Sequence, residues 1–508
     1  MTPSMNSPEN DSPQEHLQEF AHILLPGESI IDIEKIPQSE PTRDPSALRE
    51  LYRLARRDKL GKFNPPWASL ALENEKDESE NLHLYEALFG RDSLRVAVDV
   101  LPAYPELTRA TILALAGDQG VESNIYREEE PGRIPHEVRD ASDPIATRIT
   151  KELGWQWPYY GSIDATPEYI RTIAQYCAEV PNGVSFLDEQ FIHHQTGERV
   201  SVKDSFDQAV DWLVGRLDSN AEGLLEYKTA IPKGIENQSW KDSWDSYFHK
   251  DGTMANHEQG IASIEVQRVA YDALLDAAEL SQDPAKEKEF LDRAEKLKST
   301  ILTEFWVDDD GGYFALGTDR DEAGALRKLK TKTSNMGHLL HSRLLTGDDP
   351  KLKKYREAIV RQVMSPAMRT NYGIRTLAND EVRYRPAAYH NGSIWLWDTH
   401  VIAQGLRNHG YNSLADTIDI GLLNTINESK AFPEYIRGDS IDEPLLNTEV
   451  VDIWDEAYQR TNRLEQPPQM IQAWSVAAAL SIKLRNGSRH EPAEPIDEFE
   501  REILASIQ

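Results

Sequence analysis

Residues 236–246 read Glu-Asn-Gln-Ser-Trp-Lys-Asp-Ser-Trp-Asp-Ser. Trp240 and Trp244 stand four apart, Asp242 and Asp245 three apart. Inside a helix each pair would share a face. Flat apolar rings set among carboxylates and amides make a poor core and a poor plain surface. They suit a sugar, whose C–H faces lie on aromatic rings while its hydroxyls bond acids and amides. The plainer reading is a capped helix start with two half-buried tryptophans, and taken alone the stretch supports both.

Outward from this stretch, apolar residues recur at helical spacing in about a dozen segments. The first begins near Ser46, with Leu48, Leu51, Leu54 and Ala55 on one face. The others lie near 93–103, 107–118, 166–180, 204–219, 258–280, 284–305, 330–346, 351–365, 390–409, 412–427 and 468–485. Strand signals are few, and Gly312–Leu316 is the best of them. Neither a fixed-period repeat nor α/β alternation is present, which disfavours Rossmann and TIM-barrel folds. The expectation is an all-α array: a bundle, a solenoid or a closed ring of hairpins.

The loops discriminate between these. Six of them are rich in Trp, Asp, Glu, His, Arg and Asn, whereas the helices are plain. They are Phe89–Ser93, Gly132–Glu137, Tyr160–Thr166, the 236–246 stretch, Tyr389–Asp398 and Phe432–Tyr435. Most sit at or just before a helix start. A closed ring would gather them at one end as a polar, aromatic-lined pocket.

Size and composition set the limits. The chain has 508 residues, enough for about three domains or one large toroid. A net charge of −31 repels phosphate backbones and anionic membranes, so nucleic-acid and membrane partners are disfavoured and a small neutral sugar or glucoside is easier to accept. The single cysteine, Cys177, excludes an intrachain disulfide and reads as a small core residue. Residues 1–44 read as a polar, proline-rich tail with an apolar patch at Ile23–Leu25 and an edge-strand candidate at Ile30–Ile33. With no signal peptide and no membrane-length apolar run, the expected location is the cytoplasm. The expected organisation is a tail over 1–44, a catalytic domain over 45–488, and a C-terminal tail over 489–508. That last tail carries a short amphipathic helix that docks on the body or on a second copy, so a homo-oligomer stays open.

No metal or organic cofactor is expected. His193–His194 lacks a ligand at metal spacing and reads as a solvated turn; no phosphate cradle, dinucleotide fingerprint or nucleophile elbow is present. Paired carboxylates remain. Glycoside hydrolysis needs one protonated acid and a second carboxylate that activates water or attacks directly. Asp242 and Asp245, each close behind a tryptophan, are the candidates for the acid, since apolar rings disfavour the ionised form. Glu434, between Pro433 and Tyr435, is the candidate partner. Arg91 next to Asp92 would hold that carboxylate ionised to accept sugar hydroxyls, with helix capping as the plain alternative. Asp164 carries the same double reading; His136–Glu137 and His390–Asn391 read as polar contacts, and Trp395 as a stacking face, or all of them as a buried network.

The motifs FGRDSL, GRIPHEVRD, GSIDATPEYI, GIENQSWKDSWDS, IEVQ, SNMGHLL, YHNGSIWLWD, FPEY and QAWSVAAAL occur in this order from about Leu84 to Leu480. This series resembles the bacterial amylo-α-1,6-glucosidase (glycogen-debranching) family and its relatives among the six-hairpin glycosidases. The resemblance implies an (α/α)6 toroid and inverting hydrolysis of an α-glucosidic bond without metal or cofactor. It implies Glu434 as the base and an aspartate of the Trp-x-Asp-Ser stretch as the donor, with Asp242 and Asp245 in competition. Asp92, Asp164, Trp240, His390, Asn391 and Trp395 would line the sugar subsite, and Trp244 and Trp474 read as further substrate contacts. Two departures stand out. Fewer than 90 residues precede FGRDSL, where debranching relatives carry a β-rich domain, and Trp244 stands where many relatives have glycine. Both favour a small glucoside, such as glucosylglycerol or glucosylglycerate, over a branched polysaccharide. A sugar epimerase or lyase acting through His136, His390 and Tyr389 is the other reaction class the residues allow; a binding protein without catalysis is the third.

Overall fold

The computed structural model describes residues 47–56, 62–70, 84–456, 459–486, 493–495 and 497–507. The expected tail over 1–44 lies outside them. In chain order the helices are α1 (Ala47–Leu54), α2 (Gly90–Val100), α3 (Pro105–Gly117), α4 (Pro144–Leu153), α5 (Ala165–Glu179), α6 (Val202–Leu217), α7 (Ile264–Leu280) and α8 (Pro284–Glu304). After the 3-10 segment Ser334–His341 come α9 (Pro350–Val363), α10 (Leu396–Asn408), α11 (Asn412–Ser429), α12 (Ala473–Asn486) and α13 (Glu498–Ile507).

Inner and outer helices differ in composition. α7 is buried almost all round, as a helix enclosed by neighbours must be. α8 buries a single stripe, Phe290, Ala294, Leu297 and Ile301, and starts at Pro284 behind Asp283, whose carboxylate accepts the Ala285 N–H at 2.8 Å. The inner segments α2, α5, α7, Ser334–His341, α10 and α12 each touch the next, and α12 packs back on α2. The ring therefore closes. Five outer helices, α3, α6, α8, α9 and α11, each pack on the inner segment that precedes them, and α1 fills the sixth outer position against α12. This is the (α/α)6 toroid expected from sequence. No helix among the described residues is long and apolar enough to cross a membrane.

Several expectations shift by one element. The 330–346 segment is a run of 3-10 turns, Ser334–His341 and Arg343–Leu345, and not an α-helix. There Gly337 permits a close approach to α10: an added Cβ would lie 2.7 Å from Ile402 Cγ1. The first residues of the expected 258–280, 390–409 and 468–485 helices are instead short strands and turns leading into them. The strand expected over 312–316 is Tyr313–Phe314, paired with Trp306–Val307. Helix α4 was not anticipated. It stands outside the ring and buries only Ala146, so it has little apolar period to read, although Asp143-Pro144 at its start and left-handed Gly154 at its end mark both limits.

The starts of the inner segments face one end of the toroid. Arg91 of α2 meets Asp164 before α5, and Glu265 of α7 meets Asn335 of the 3-10 segment. Short strands tie the loops there: Leu88–Phe89 pairs with Glu137–Val138, Ile394–Trp395 with Tyr435–Ile436, and Ser69–Leu70 with Ile471–Gln472. A longer hairpin, Val451–Asp455 with Arg460–Glu465, completes this end. Helix α13 docks on the body. Its fully buried Glu500 accepts the Ser413 and Leu414 N–H groups, at 2.8 and 3.2 Å, and so caps α11 from a distant part of the chain.

Candidate active site

Glu434 is held by backbone on both sides. Tyr435 pairs with Trp395, and the Glu434 N–H donates to Gln469 O at 2.8 Å. Its carboxyl is buried, and both oxygens accept: Oε1 from the Tyr389 hydroxyl, Oε2 from the Gln469 N–H at 3.2 Å. Burial pushes it up to about 8 against the pull of these two donors, and Asp92 and Asp242 push it further.

The 236–246 stretch is not helical. Its side chains bond its own backbone, which offers the chain an alternative to a helix. Asn237 Nδ2 donates to Ser243 O at 2.7 Å, and Ser246 Oγ donates to the same carbonyl at 2.8 Å. The two aspartates therefore part. Asp242 reaches the cavity, with 31% of its side chain open, and Arg91 Nη1 stands 3.7 Å from its Oδ2. The surrounding protein pushes it up to about 6, with Asp164 adding to burial and Arg91 opposing it. Asp245 is buried beside Asn391, Arg383 and Lys241, and burial raises it as well. It is not among the residues around the cavity.

Asp242 and Tyr389 line one cavity of about 580 Å³, together with Tyr85, Phe89, His136, Glu137 and Trp155. Its remaining wall comes from α4, residues 233–236 and the 451–465 hairpin, and carries Arg148, Glu152, Lys233, Glu236 and Arg460. Arg460 pairs with Glu236 there. The hydroxyl of Tyr389, bonded to Glu434 Oε1, thus connects the cavity to the buried Glu434, which is not itself among the residues around it.

Other expected site residues take different places. Arg91 Nε bonds Asp164 Oδ2 at 2.6 Å and does not bond Asp92, whose buried carboxyl burial pushes up to about 7. The expectation that Arg91 keeps Asp92 ionised is met only in direction: the guanidinium turns to Asp164 and Asp242, and its charge favours the Asp92 carboxylate without overcoming burial. Neither Asp92 nor Asp164 caps its helix through its side chain. His390 accepts at Nδ1 from the Ser243 N–H at 3.2 Å and contacts Ser243 Oγ at 2.7 Å; burial pulls it well below the usual histidine range, so it is neutral. Asn391 Nδ2 donates to Asp245 O at 2.9 Å. Both buttress the 236–246 loop. His136, neutral for the same reason, stands edge-on to Phe89 and Tyr159, and Glu137, held by Arg139, is pushed up to about 7.

The tryptophans expected to stack on sugar lie beneath the site. Trp240, Trp395 and Trp474 are 2%, 1% and 4% exposed. Trp240 meets Trp395 and Trp397 edge-on, Trp395 stacks on Tyr435 with ring centres 5.2 Å apart, and Trp474 stacks on Trp397 at 5.0 Å. They floor the acid and base loops, leaving no open face for a ring to lie on. Trp244 is half-buried. The aromatic groups at the cavity are Tyr85, Phe89, Trp155 and Tyr389, of which Tyr389 was raised from sequence only for the epimerase or lyase class. Its place directly before His390-Asn391 was the available signal. His193 is a buried residue bonded to Gln119 O at 2.7 Å and not a solvated turn; His194 is exposed beside Asp118. Among the described residues no three His, Cys, Asp or Glu side chains form a group able to hold a metal ion. Cys177 is buried in the core.

Residues 188–440, which include Asp242, Tyr389 and Glu434, match the family of mannosylglycerate hydrolase MGH1-like glycoside hydrolase domains. Over that segment the chain is similar to a glycoside hydrolase domain. Its fold is similar to that of a GH63 mannosylglycerate hydrolase from Thermus thermophilus in complex with Tris and D-glycerate. The TM-score is 0.55 and the identity 15%, over 86% of this chain and 100% of that one. The same enzyme in complex with glucose gives 0.54 and 16%, over 86% and 98%. An uncharacterized conserved protein from Thermus thermophilus gives 0.53 and 16%, over 86% and 99%. At such identities the likeness is one of fold. No curated protein matches the chain significantly. The family match thus meets the expectation of a six-hairpin glycosidase and runs to the mannosylglycerate hydrolase-like domain, without bearing on the glycogen-debranching kinship.

Proposed function

We propose that this chain is a cytoplasmic, inverting glycosidase that cleaves the α-glycosidic bond of a small glycoside, with Asp242 as the acid and Glu434 as the base. Water attacks the anomeric carbon and gives its proton to Glu434. The bond to the leaving oxygen breaks as Asp242 protonates that oxygen. The observation that carries this reading is that Asp242 and the Tyr389 hydroxyl bound to Glu434 line one cavity.

Asp242 is preferred to Asp245 because it lines that cavity, whereas Asp245 sits behind the loop with Arg383 and Lys241. The two shifts alone order the pair the other way, with Glu434 keeping its proton to higher pH than Asp242. Hydrogen bonding favours the roles given. Two donors occupy the Glu434 oxygens and orient it as a carboxylate, while Asp242 is open to the cavity where a glycosidic oxygen would lie.

The aglycone we favour is small and carries a carboxylate or several hydroxyls, as in glucosylglycerate or glucosylglycerol. The cavity wall carries Arg148, Lys233 and Arg460 beside Glu152 and Glu236, with Arg460 paired to Glu236, so it offers charged donors and acceptors to a polar aglycone. The mannosylglycerate hydrolase resemblance points the same way and adds a mannosyl group as a candidate sugar.

The test is to incubate the protein with α-linked disaccharides, glucosylglycerol, glucosylglycerate, mannosylglycerate and branched dextrins, following the first minutes by proton NMR. The expected result is free sugar appearing first as the anomer opposite to that of the substrate. Release of the retained anomer would overturn inversion, and release from branched dextrins alone would restore the debranching kinship. No release from any of them would overturn the reading as a whole.

A further inference from the structure

An inverting base must be ionised and aimed at a water. Glu434 is poorly placed for the first requirement. It is buried, and the charges bearing most on it, Asp92 of α2 and Asp242 of the acid loop, both repel a carboxylate. Tyr435 next to it and Tyr85 near it bring phenols and not cations. What restrains it are two neutral donors on two different loops. The Gln469 N–H is fixed backbone. The other is the Tyr389 hydroxyl, from the loop that leads into α10.

Tyr389 is itself held in place. Its ring meets Trp395 edge-on at 4.9 Å and Tyr435 at 5.2 Å, with interplanar angles of 85° and 89°. Tyr85 lines the same cavity wall. Tyr389 thus links that wall to Glu434 through one hydrogen bond. A hydrogen bond to a charged group is among the stronger ones, and low-dielectric surroundings strengthen it further.

Resting on the assignment of Glu434 as base, we propose that Tyr389 is the positioning residue that keeps Glu434 ionised and its carboxylate in place. Removing the phenol takes away a donor that favours the carboxylate, so Glu434 holds its proton to higher pH and a smaller fraction is ready to accept one from water. The carboxylate also gains freedom to rotate. Both effects act on turnover.

The test uses the full-length protein carrying Tyr389→Phe, Tyr85→Phe or Glu434→Gln, with kcat and KM measured from pH 5 to 10. For the wild type, kcat/KM rises through about 6 and falls through about 8, since the active pair carries one proton in all, and the higher carboxyl sets the alkaline limb. In Tyr389→Phe that limb is expected to move up by about one pH unit and kcat to fall by about 10- to 100-fold, with KM changed less than about threefold. Tyr85→Phe, which removes a phenol of the same cavity wall without a hydrogen bond to Glu434, is expected to keep the wild-type limbs. If Glu434→Gln is inactive while Tyr389→Phe keeps the wild-type limbs and kcat, the inference is overturned and the base assignment stands. A rise in KM alone in Tyr389→Phe would equally overturn it, as that marks a substrate contact. If Glu434→Gln keeps full activity, the base assignment itself fails.

Discussion

At the cavity Asp242 faces the guanidinium of Arg91; behind Tyr389 the buried Glu434 faces a phenol and a backbone amide. Burial raises both carboxyls. The restraint differs in kind. Arg91 acts as a full charge shared with Asp164, whereas Tyr389 and Gln469 act as dipoles at short range. The acid wall is therefore a charged unit in which each member depends on the others. The base wall is a geometric unit whose effect lies in where two donors point. The same contrast separates Asp242 from Asp245, three residues apart in sequence: one opens on the cavity beside Arg91, the other is closed in beside Lys241.

Substitutions sharpen this contrast. Asp242→Asn is expected to lower kcat on an unactivated glycoside by about 10³-fold, whereas Asp245→Asn lowers it less than about tenfold through the loop it supports. Steady-state rates at pH 7 decide it, and the reverse ranking would move the donor to Asp245. Arg91→Gln leaves Asp164 buried without its partner and is expected to cost about 3–5 kcal/mol of stability, read from urea unfolding at pH 7. A change under about 1 kcal/mol would show that the acid wall is not a coupled charge unit. Far from both walls, Glu500→Ala removes the acceptor that caps α11 and is expected to cost about 1 kcal/mol with turnover unchanged. A turnover effect there would mean that the ring transmits changes from its outer face to the cavity.

The fold was legible because the inner and outer helices carry their period openly, as in the Phe290, Ala294, Leu297 and Ile301 stripe, and because three of the unusual loops, Phe89–Ser93, Tyr160–Thr166 and Tyr389–Asp398, run into inner helices. The 3-10 segment escaped because Ser334–His341 is as apolar as a helix would be, and its geometry is decided by contact with α10. The residue types of the site were legible; the orientation of each side chain was not. Trp240 and Trp395 look like sugar platforms in sequence, yet Trp395 stacks with His390 and Tyr435 and Trp240 meets Trp397 edge-on to floor the site. Asp242 and Asp245 were inseparable by composition, since what parts them is the Asn237 and Ser246 bonding within the loop. Tyr85, Trp155 and Arg460 come from segments with no distinguishing pattern and meet the cavity only through the closed ring.

The central claim is that Asp242 gives a proton to the leaving oxygen while Glu434 takes one from water. It is tested most directly by leaving-group dependence. The wild type, Asp242→Asn and Glu434→Gln would be compared on a natural glycoside and on the dinitrophenyl glycoside of the same sugar, whose leaving group needs no protonation. The account predicts that Asp242→Asn regains most of its activity on the dinitrophenyl substrate while Glu434→Gln stays inactive on both. Recovery of Glu434→Gln and not of Asp242→Asn would contradict it and exchange the two roles.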